Sequence, residues 1–150
     1  MPNGLAARLR HDTAALHRQA ERAGVMGHLL AGHVDCGAYV RLLRALYPVY
    51  LELERALADH PEASPIPHLK LARAPAIASD LRELHGPDWE RELRAVPAGV
   101  AYAARILAVE AQCPPLLAAH AYVRYLGDLS GGQTLGRMVA RGLGLVGEAG

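Results

Sequence analysis

The strongest constraint on the fold is a stretch that carries four glycines inside a predicted helix. It reads YVRYLGDLSGGQTLG and runs from Tyr122 to Gly136. Two prolines, Pro114 and Pro115, precede it, and proline is well tolerated in a first helical turn, where N–H groups lack intrahelical partners. Each glycine weakens a helix interior by roughly 1 kcal/mol relative to alanine. Four glycines within ten positions therefore indicate a purpose beyond helix formation.

These glycines occupy neighbouring positions on the helix surface. Gly127 and Gly131 are four residues apart and share a face, and Gly132 lies beside Gly131. Without side chains there, another body can approach the backbone and the helix can bend. Contact with a second helix through small residues is one interpretation. Asp128, a carboxylate among the glycines, favours the other interpretation, a flat ligand lying against the backbone.

The rest of the chain also predicts helices, because apolar residues recur at helical spacing and no segment alternates as a strand does. A first helix is predicted from Asn3, a plausible N-cap, to about Gly24. The segment Glu62–Pro75 is rich in proline and predicts an irregular connection. The other predicted helices are Val25–Gly32, Asp35 to about His60 with a bend at Pro48, Ala76–Leu84, Pro87–Leu93 anchored by Trp89, Ala98–Gln112, and a last one to about Gly142. We therefore predict an all-α, multihelical fold.

Composition argues against several classes of protein. The formal net charge is +1, whereas nucleic-acid binding normally requires a marked basic excess. No apolar run approaches the roughly 20 residues that cross a bilayer. The two cysteines, Cys36 and Cys113, form no metal-spaced pair, and no secretory signal precedes the first amphipathic segment. We expect a cytoplasmic protein without general nucleic-acid binding or membrane insertion.

Two separate motifs resemble those of the haem oxygenases. YLGDLSGGQ, Tyr125–Gln133, is similar to the distal-helix signature of that family, and the similarity extends upstream through AHAYVRYLGD, Ala119–Asp128. LHRQAE, Leu16–Glu21, resembles the segment with the proximal haem-ligating histidine. The resemblance implies one haem oxygenase-like domain over residues 1–150, with haem between a proximal helix and a glycine-kinked distal helix. Typical members continue further, so the family's last helices are expected to be lacking.

The resemblance also implies a reaction. In haem oxygenases, haem is both cofactor and substrate, and it is converted with O2 and electrons to biliverdin, free ferrous iron and carbon monoxide. The electrons come from a donor such as ferredoxin or a flavin reductase. Haem, O2 and an electron donor are therefore the expected partners of this chain.

On the proximal side, the resemblance assigns His17 as the ligand of the haem iron. A ligating imidazole usually donates its second ring N–H to an acceptor, and Glu21, one turn further, is the expected acceptor. Arg10 and Tyr122 are expected to contact the haem propionates. Without the resemblance, a lone histidine of this kind is more often a structural residue.

On the distal side, the resemblance assigns Asp128 a role through water, since an ordered network there can deliver protons to the oxygen. Tyr50 is expected to join that network, although a buried structural tyrosine is the alternative. Gly127, Gly131 and Gly132 are expected to form a wall of backbone beside the haem. Arg124 is expected to pair within the helical bundle.

Two other functions stay open. A haem-binding or haem-sensing module could retain His17 without turnover, and a helical scaffold of similar architecture could act on another small molecule. The dipeptide Cys113-Pro114 could be a regulatory haem-thiolate site, but a loop cysteine before a proline-started helix is the simpler interpretation. Fold similarity alone does not choose among these functions.

Overall fold

A computed structural model describes residues 4–33, 35–63 and 71–144. In these ranges the chain contains helices, turns and loops and no strand, which confirms the predicted all-α class. Two short 3₁₀ turns, Pro61–Ala63 and Pro114–Leu116, connect longer helices. The main helices are α1 (Leu5–Arg22), α2 (Gly24–Leu30), α3 (Cys36–Asp59), α4 (Ala74–Leu84), α5 (Trp89–Glu92), α6 (Pro97–Gln112), α7 (Leu117–Gly127) and α8 (Gln133–Gly142). None of the helices in the described ranges is long and apolar enough to span a bilayer.

The chain divides into two compact units. The first comprises residues 1–35 and 135–150 and contains α1, α2 and most of α8. Ala23 separates α1 from α2 because its backbone is extended (φ −87°, ψ 137°), close to the helix end predicted at Gly24. Leu29 and Val139 are the buried apolar side chains of this unit in the described ranges. Asn3, the predicted N-cap, lies outside the described residues.

The second unit comprises residues 36–134 and contains the main apolar core. Its longest helix, α3, contributes a buried stripe at helical spacing. Helices α4 and α6 pack against α3, and α3 continues without interruption through Pro48. The buried residues of α3 are Val40, Leu43, Val49, Tyr50, Leu53, Ala56 and Leu57. This stripe fixes the orientation of Tyr50, which is fully buried.

Trp89 is the aromatic anchor of α5, as predicted. It is buried, and Tyr47 packs edge-on against it with ring centroids 4.9 Å apart. The Arg44 guanidinium lies 5.4 Å from the Trp89 ring centroid, and its Nε donates to the Leu93 carbonyl at 3.3 Å. Aromatic and cation–π contacts of this kind stabilise a short helix that would not form alone.

The predicted start of α4 is wrong. Helix α4 begins at Ala74, two residues before the predicted start. The predicted irregular segment therefore ends earlier, because Pro75 fits the first helical turn and the Glu54 carboxylate accepts N–H groups at this helix end. The predicted glycine-kinked distal helix contains a change of helical type, described below.

Candidate functional site

The glycine-rich stretch forms a π-helical turn. Helix α7 ends at Gly127, residues Asp128–Gly132 form the π-helical segment, and α8 follows from Gln133. A π-helical turn shifts the hydrogen-bond register from i→i+4 to i→i+5 and is frequent at functional sites. The predicted local distortion of the distal helix is thus present as a change of register, and it begins at Asp128.

The Asp128 carboxylate is held through one of its two oxygens. The Tyr50 hydroxyl donates to Oδ2 at 2.6 Å, and Arg73 Nε donates to the same oxygen at 3.3 Å. No hydrogen bond to Oδ1 is found in the described part of the chain. A Cβ added at Gly132 would lie 3.9 Å from Oδ1. Glycine at position 132 therefore places no side chain beside Oδ1, while Oδ2 is anchored.

The Tyr50 hydroxyl links Arg124 to Asp128, because it accepts a hydrogen bond from the first and donates one to the second. Arg124 Nη2 donates to the Tyr50 hydroxyl at 3.0 Å, and the guanidinium carbon lies 5.0 Å from the Tyr50 ring centroid. Burial raises the pKa of Tyr50, Arg124 opposes that rise, and the bond to Asp128 adds to it. The phenol therefore stays protonated at neutral pH and donates toward the carboxylate.

Beside this chain of bonds lie two buried polar atoms, Tyr125 Oη and Arg124 Nε, without a partner in the described ranges. The Tyr125 ring lies 6.2 Å from that of Tyr50. Burial, followed by the charges of Glu54 and Asp128, raises the pKa of Tyr125. Buried polar atoms are normally satisfied, by protein groups or by ordered water. These two atoms are therefore suited to hydrogen bonds with ordered water.

His120, on α7, belongs to a neighbouring hydrogen bond. Its Nδ1 lies 3.1 Å from the Tyr102 hydroxyl. Burial, with a contribution from Arg105, lowers the pKa of His120, so the ring is neutral at physiological pH. His120 is thus a hydrogen-bonding residue of the bundle.

The surroundings of the glycines bear on the two interpretations of the glycine-rich stretch. Among the described residues, a Cβ at Gly127 would meet no atom within 4 Å, and one at Gly132 would meet only Asp128, at 3.7 Å. No other helix of the second unit therefore packs closely against these two backbones. The surroundings of Gly131 fall outside the description, so its role stays a prediction.

In the first unit, His17 lies on α1 with its side chain 71% exposed. Its Nδ1 is 3.4 Å from Glu21 Oε1, as expected for an acceptor one turn away. Arg10 is exposed two turns earlier on the same face of α1. Tyr122, on α7 of the second unit, is partly exposed. The ligand roles of these residues stay predictions.

Sequence reasoning missed three members of the site. Arg124 pairs within the bundle as expected, but its partner is Tyr50. It therefore belongs to the hydrogen-bonded set of Arg124, Tyr50, Asp128 and Arg73, called the Asp128 cluster below. Glu54 lies one turn after Tyr50, a spacing that could have indicated it. Arg73 is 55 residues from Asp128 in sequence, and no local pattern indicates their contact.

Comparison with known proteins identifies the family. The family model described as "Heme oxygenase" matches residues 3–150. The chain belongs to the haem oxygenase family. Heme oxygenase 1 of Synechocystis sp. is 39% identical over 148 residues, which cover 97% of this chain and 62% of that relative. Heme oxygenase of Porphyra purpurea is 41% identical over 145 residues, which cover 95% of this chain and 61% of the relative.

Solved haem oxygenase structures have the same fold. The crystal structure of heme oxygenase-1 from Synechocystis sp. in complex with heme gives a TM-score of 0.85 at 37% identity, covering 95% of this chain and 66% of that one. Heme oxygenase from Leptospira interrogans gives 0.87 at 35% identity, covering 99% of this chain and 73% of that one. The chain thus spans about three fifths of the first curated relatives, at 62% and 61% of their length.

Proposed function

We propose that this chain is a haem oxygenase that cleaves haem to biliverdin, ferrous iron and carbon monoxide with O2 and a reductant. The observation that carries the proposal is the Asp128 carboxylate on the π-helical turn, anchored by Tyr50 through Oδ2 at 2.6 Å. Membership of the haem oxygenase family supports the same reaction. A relative whose structure is described as a complex with heme supports haem as the substrate.

The donor groups of the first unit fit haem. We assign His17 as the iron ligand, because its imidazole is exposed and Glu21 lies beside Nδ1 at 3.4 Å. That contact favours the tautomer with the proton on Nδ1 and leaves Nε2 for the metal. The exposed Arg10 guanidinium suits a propionate carboxylate, and we assign Tyr122 the same kind of contact. Haem, when bound, supplies the iron that activates oxygen and the ring that is cleaved.

In this proposal, the Asp128 cluster orients the water that delivers protons to the substrate. Because Arg124 donates to the Tyr50 hydroxyl, that hydroxyl directs its own proton to Asp128 Oδ2. Oδ1, on the glycine side, accepts a hydrogen bond from ordered water and so orients that water, whose other O–H donates the proton toward the substrate. We assign Gly127, Gly131 and Gly132 to the wall beside the substrate, where missing side chains allow close approach.

The electron donor is assigned by charge. Helix α1 presents exposed guanidinium groups, which suit an acidic redox protein such as a ferredoxin, or a flavin reductase. These exposed residues are Arg8, Arg10, Arg18 and Arg22. Cys36 and Cys113 are exposed and unpaired, which suits the reducing cytoplasm that we propose as the location.

A haemin titration followed by reduction in air tests this function. We expect wild type to develop a Soret band that decays to a bilin spectrum, with release of iron and carbon monoxide. His17→Ala should lose the ligation-dependent band, whereas His11→Ala, an exposed histidine of the same helix paired with Asp12, should behave as wild type. A stable Soret band without bilin in wild type would contradict catalysis and favour a binding or sensing module.

Asp128→Ala separates binding from turnover. We expect this variant to bind haem with nearly unchanged affinity and to form biliverdin at least about a hundredfold more slowly, because proton delivery is lost. Bilin yield is measured by absorption after a single turnover, and haem affinity by titration of the same sample. A normal yield would exclude the role assigned to Asp128.

A further inference from the structure

Arg73 is bound by two different carboxylates of the second unit. Its backbone N–H donates to Glu54 Oε1, and the next N–H, of Ala74, lies 3.2 and 3.3 Å from the two oxygens of the same carboxylate. Its side-chain Nε donates to Asp128 Oδ2 at 3.3 Å. Glu54 therefore fixes the backbone from which the Arg73 side chain reaches Asp128.

These contacts close a ring on α3. Tyr50 and Glu54 lie one turn apart on that helix, and each binds one end of the connection. Tyr50 holds Asp128, Asp128 binds Arg73, and the Arg73 backbone returns to Glu54. A carboxylate held by one donor can turn about its side-chain torsions, whereas two donors on one oxygen restrict both its position and its plane. The orientation of Oδ1 thus depends on both Tyr50 and Arg73.

We propose that Arg73 is a positioning residue for the haem cleavage reaction: it holds Asp128 Oδ2 against Tyr50 and thereby keeps Oδ1 directed toward the glycine side of the π-helical turn. The inference rests on the proposed function. It assigns Arg73 no contact with substrate. Its guanidinium acts through Asp128, and its charge strengthens a hydrogen bond to a carboxylate.

The competing explanation is an inconsequential surface ion pair. The Arg73 side chain is 44% exposed and that of Asp128 is 25% exposed, and exposed pairs contribute little to stability. That explanation predicts that loss of Arg73 changes neither the Tyr50 hydrogen bond nor the reaction. The two explanations therefore differ in a spectroscopic and a kinetic measurement.

Arg73→Met removes the donor and charge while keeping a long side chain, and Arg73→Lys restores the charge with a different geometry. Arg91→Met is the matched control, because Arg91 pairs with Asp88 at 3.2 Å and touches no member of the ring. The first measurement uses haem-free protein labelled with ¹³C at tyrosine Cζ, with the Tyr50 signal assigned from Tyr50→Phe. We expect Arg73→Met to shift this signal and to speed hydroxyl proton exchange about tenfold, the scale of one charge-assisted bond.

The second measurement is single-turnover bilin formation. For Arg73→Met we expect about a tenfold lower rate with a haem Kd within about threefold of wild type. Arg73→Lys should recover most of the rate, and Arg91→Met should match wild type in both measurements.

Three outcomes would overturn an assignment. An unchanged Tyr50 signal and an unchanged rate in Arg73→Met, with active wild type, would make the ion pair inconsequential. A lower melting temperature and weaker haem binding, with an unchanged rate per bound haem, would make Arg73 merely structural. Wild type that binds haem without forming bilin would instead overturn the proposed function, and the Tyr50 signal would still report whether Arg73 holds Asp128.

Discussion

Glycine has different roles at the crossing of α3 and α6 and at the π-helical turn. A Cβ at Gly99, on α6, would lie 2.1 Å from the Ala45 carbonyl oxygen of α3. A Cβ at Gly132 would lie 3.7 Å from the nearest atom, in Asp128. The first glycine allows two backbones to touch, whereas the second leaves space beside a carboxylate. A glycine of the second kind, which the described neighbours do not require for packing, suits the proposed ligand.

Among the variants that test this comparison, Gly99→Ala should have the largest effect, a loss in the free energy of unfolding. The methyl group would force α3 and α6 apart by about 1 Å or more, because contact distances are about 3.5 Å, and overpacking typically lowers the free energy of unfolding by about 1–3 kcal/mol. Urea denaturation followed by circular dichroism measures it.

Gly127→Ala is the matched control, since no atom of the described residues lies within 4 Å of its added Cβ. It should be neutral or raise the free energy of unfolding by about 0.5–1 kcal/mol through helix propensity. If Gly99→Ala and Gly127→Ala lowered the free energy of unfolding equally, the close backbone contact at Gly99 would not distinguish the two regions.

The next effect is that of Gly132→Ala on the reaction. The added methyl group makes only ordinary contacts, at 3.7 and 3.9 Å from Asp128 atoms, so the free energy of unfolding should change by less than about 1 kcal/mol. It would, however, narrow the approach to Oδ1, and we expect bilin formation to slow by about tenfold through the loss of one hydrogen bond to a charged group. Single-turnover kinetics measures the rate. Normal turnover would mean that the space at Gly132 serves no ligand or water.

The smallest effect is expected for the ion pair between α3 and α6, whose contribution to the free energy of unfolding depends on pH. Arg55 of α3 binds Glu110 of α6 through both terminal guanidinium nitrogens, and the hydrogen bond to Arg55 lowers the pKa of Glu110 below its ordinary value. A lowered carboxyl pKa adds stability above the unfolded pKa, and this stability is lost as the pH falls through the folded value. Glu110→Gln should lower the free energy of unfolding by no more than about 1 kcal/mol near neutral pH, because the pair is partly exposed.

The pH dependence supplies the control. Denaturation at pH 7 and at pH 3 should show that the difference between Glu110→Gln and wild type shrinks on acidification. A difference that persists at low pH would attribute the effect to packing instead of charge. Glu110→Gln should not alter bilin formation at neutral pH, since Glu110 contacts none of Tyr50, Arg73, Arg124 and Asp128.

Much of the fold could be predicted from local pattern. Apolar spacing predicted α3, and Trp89 was correctly expected to anchor α5. The π-helical turn could not be read in the same way, because the sequence shows glycines but not which hydrogen-bond register they adopt. The start of α4 was misplaced because Glu54, a distant residue, binds the helix end.

In the candidate site, too, the residues that belong to motifs were predicted, and those joined only by tertiary contacts were not. Tyr50 and Asp128 were predicted together, through the family resemblance, and they share a hydrogen bond. Arg73 was not predicted, since its contact with Asp128 depends on where α4 begins and not on any nearby motif. Local pattern thus finds residues whose neighbours in space are neighbours in sequence or in a known motif, and it misses tertiary pairs.

The anchoring of Asp128 through one oxygen has a further chemical consequence. A carboxylate has two equivalent ends, but Tyr50 and Arg73 both donate to Oδ2, so the fold makes the ends inequivalent. An asparagine at this position would have to turn its carbonyl toward those donors and its amide NH₂ toward the glycine side. Asp128→Asn would therefore reverse the polarity of the exposed end from acceptor to donor, so the substitution closest in shape is not the mildest in chemistry.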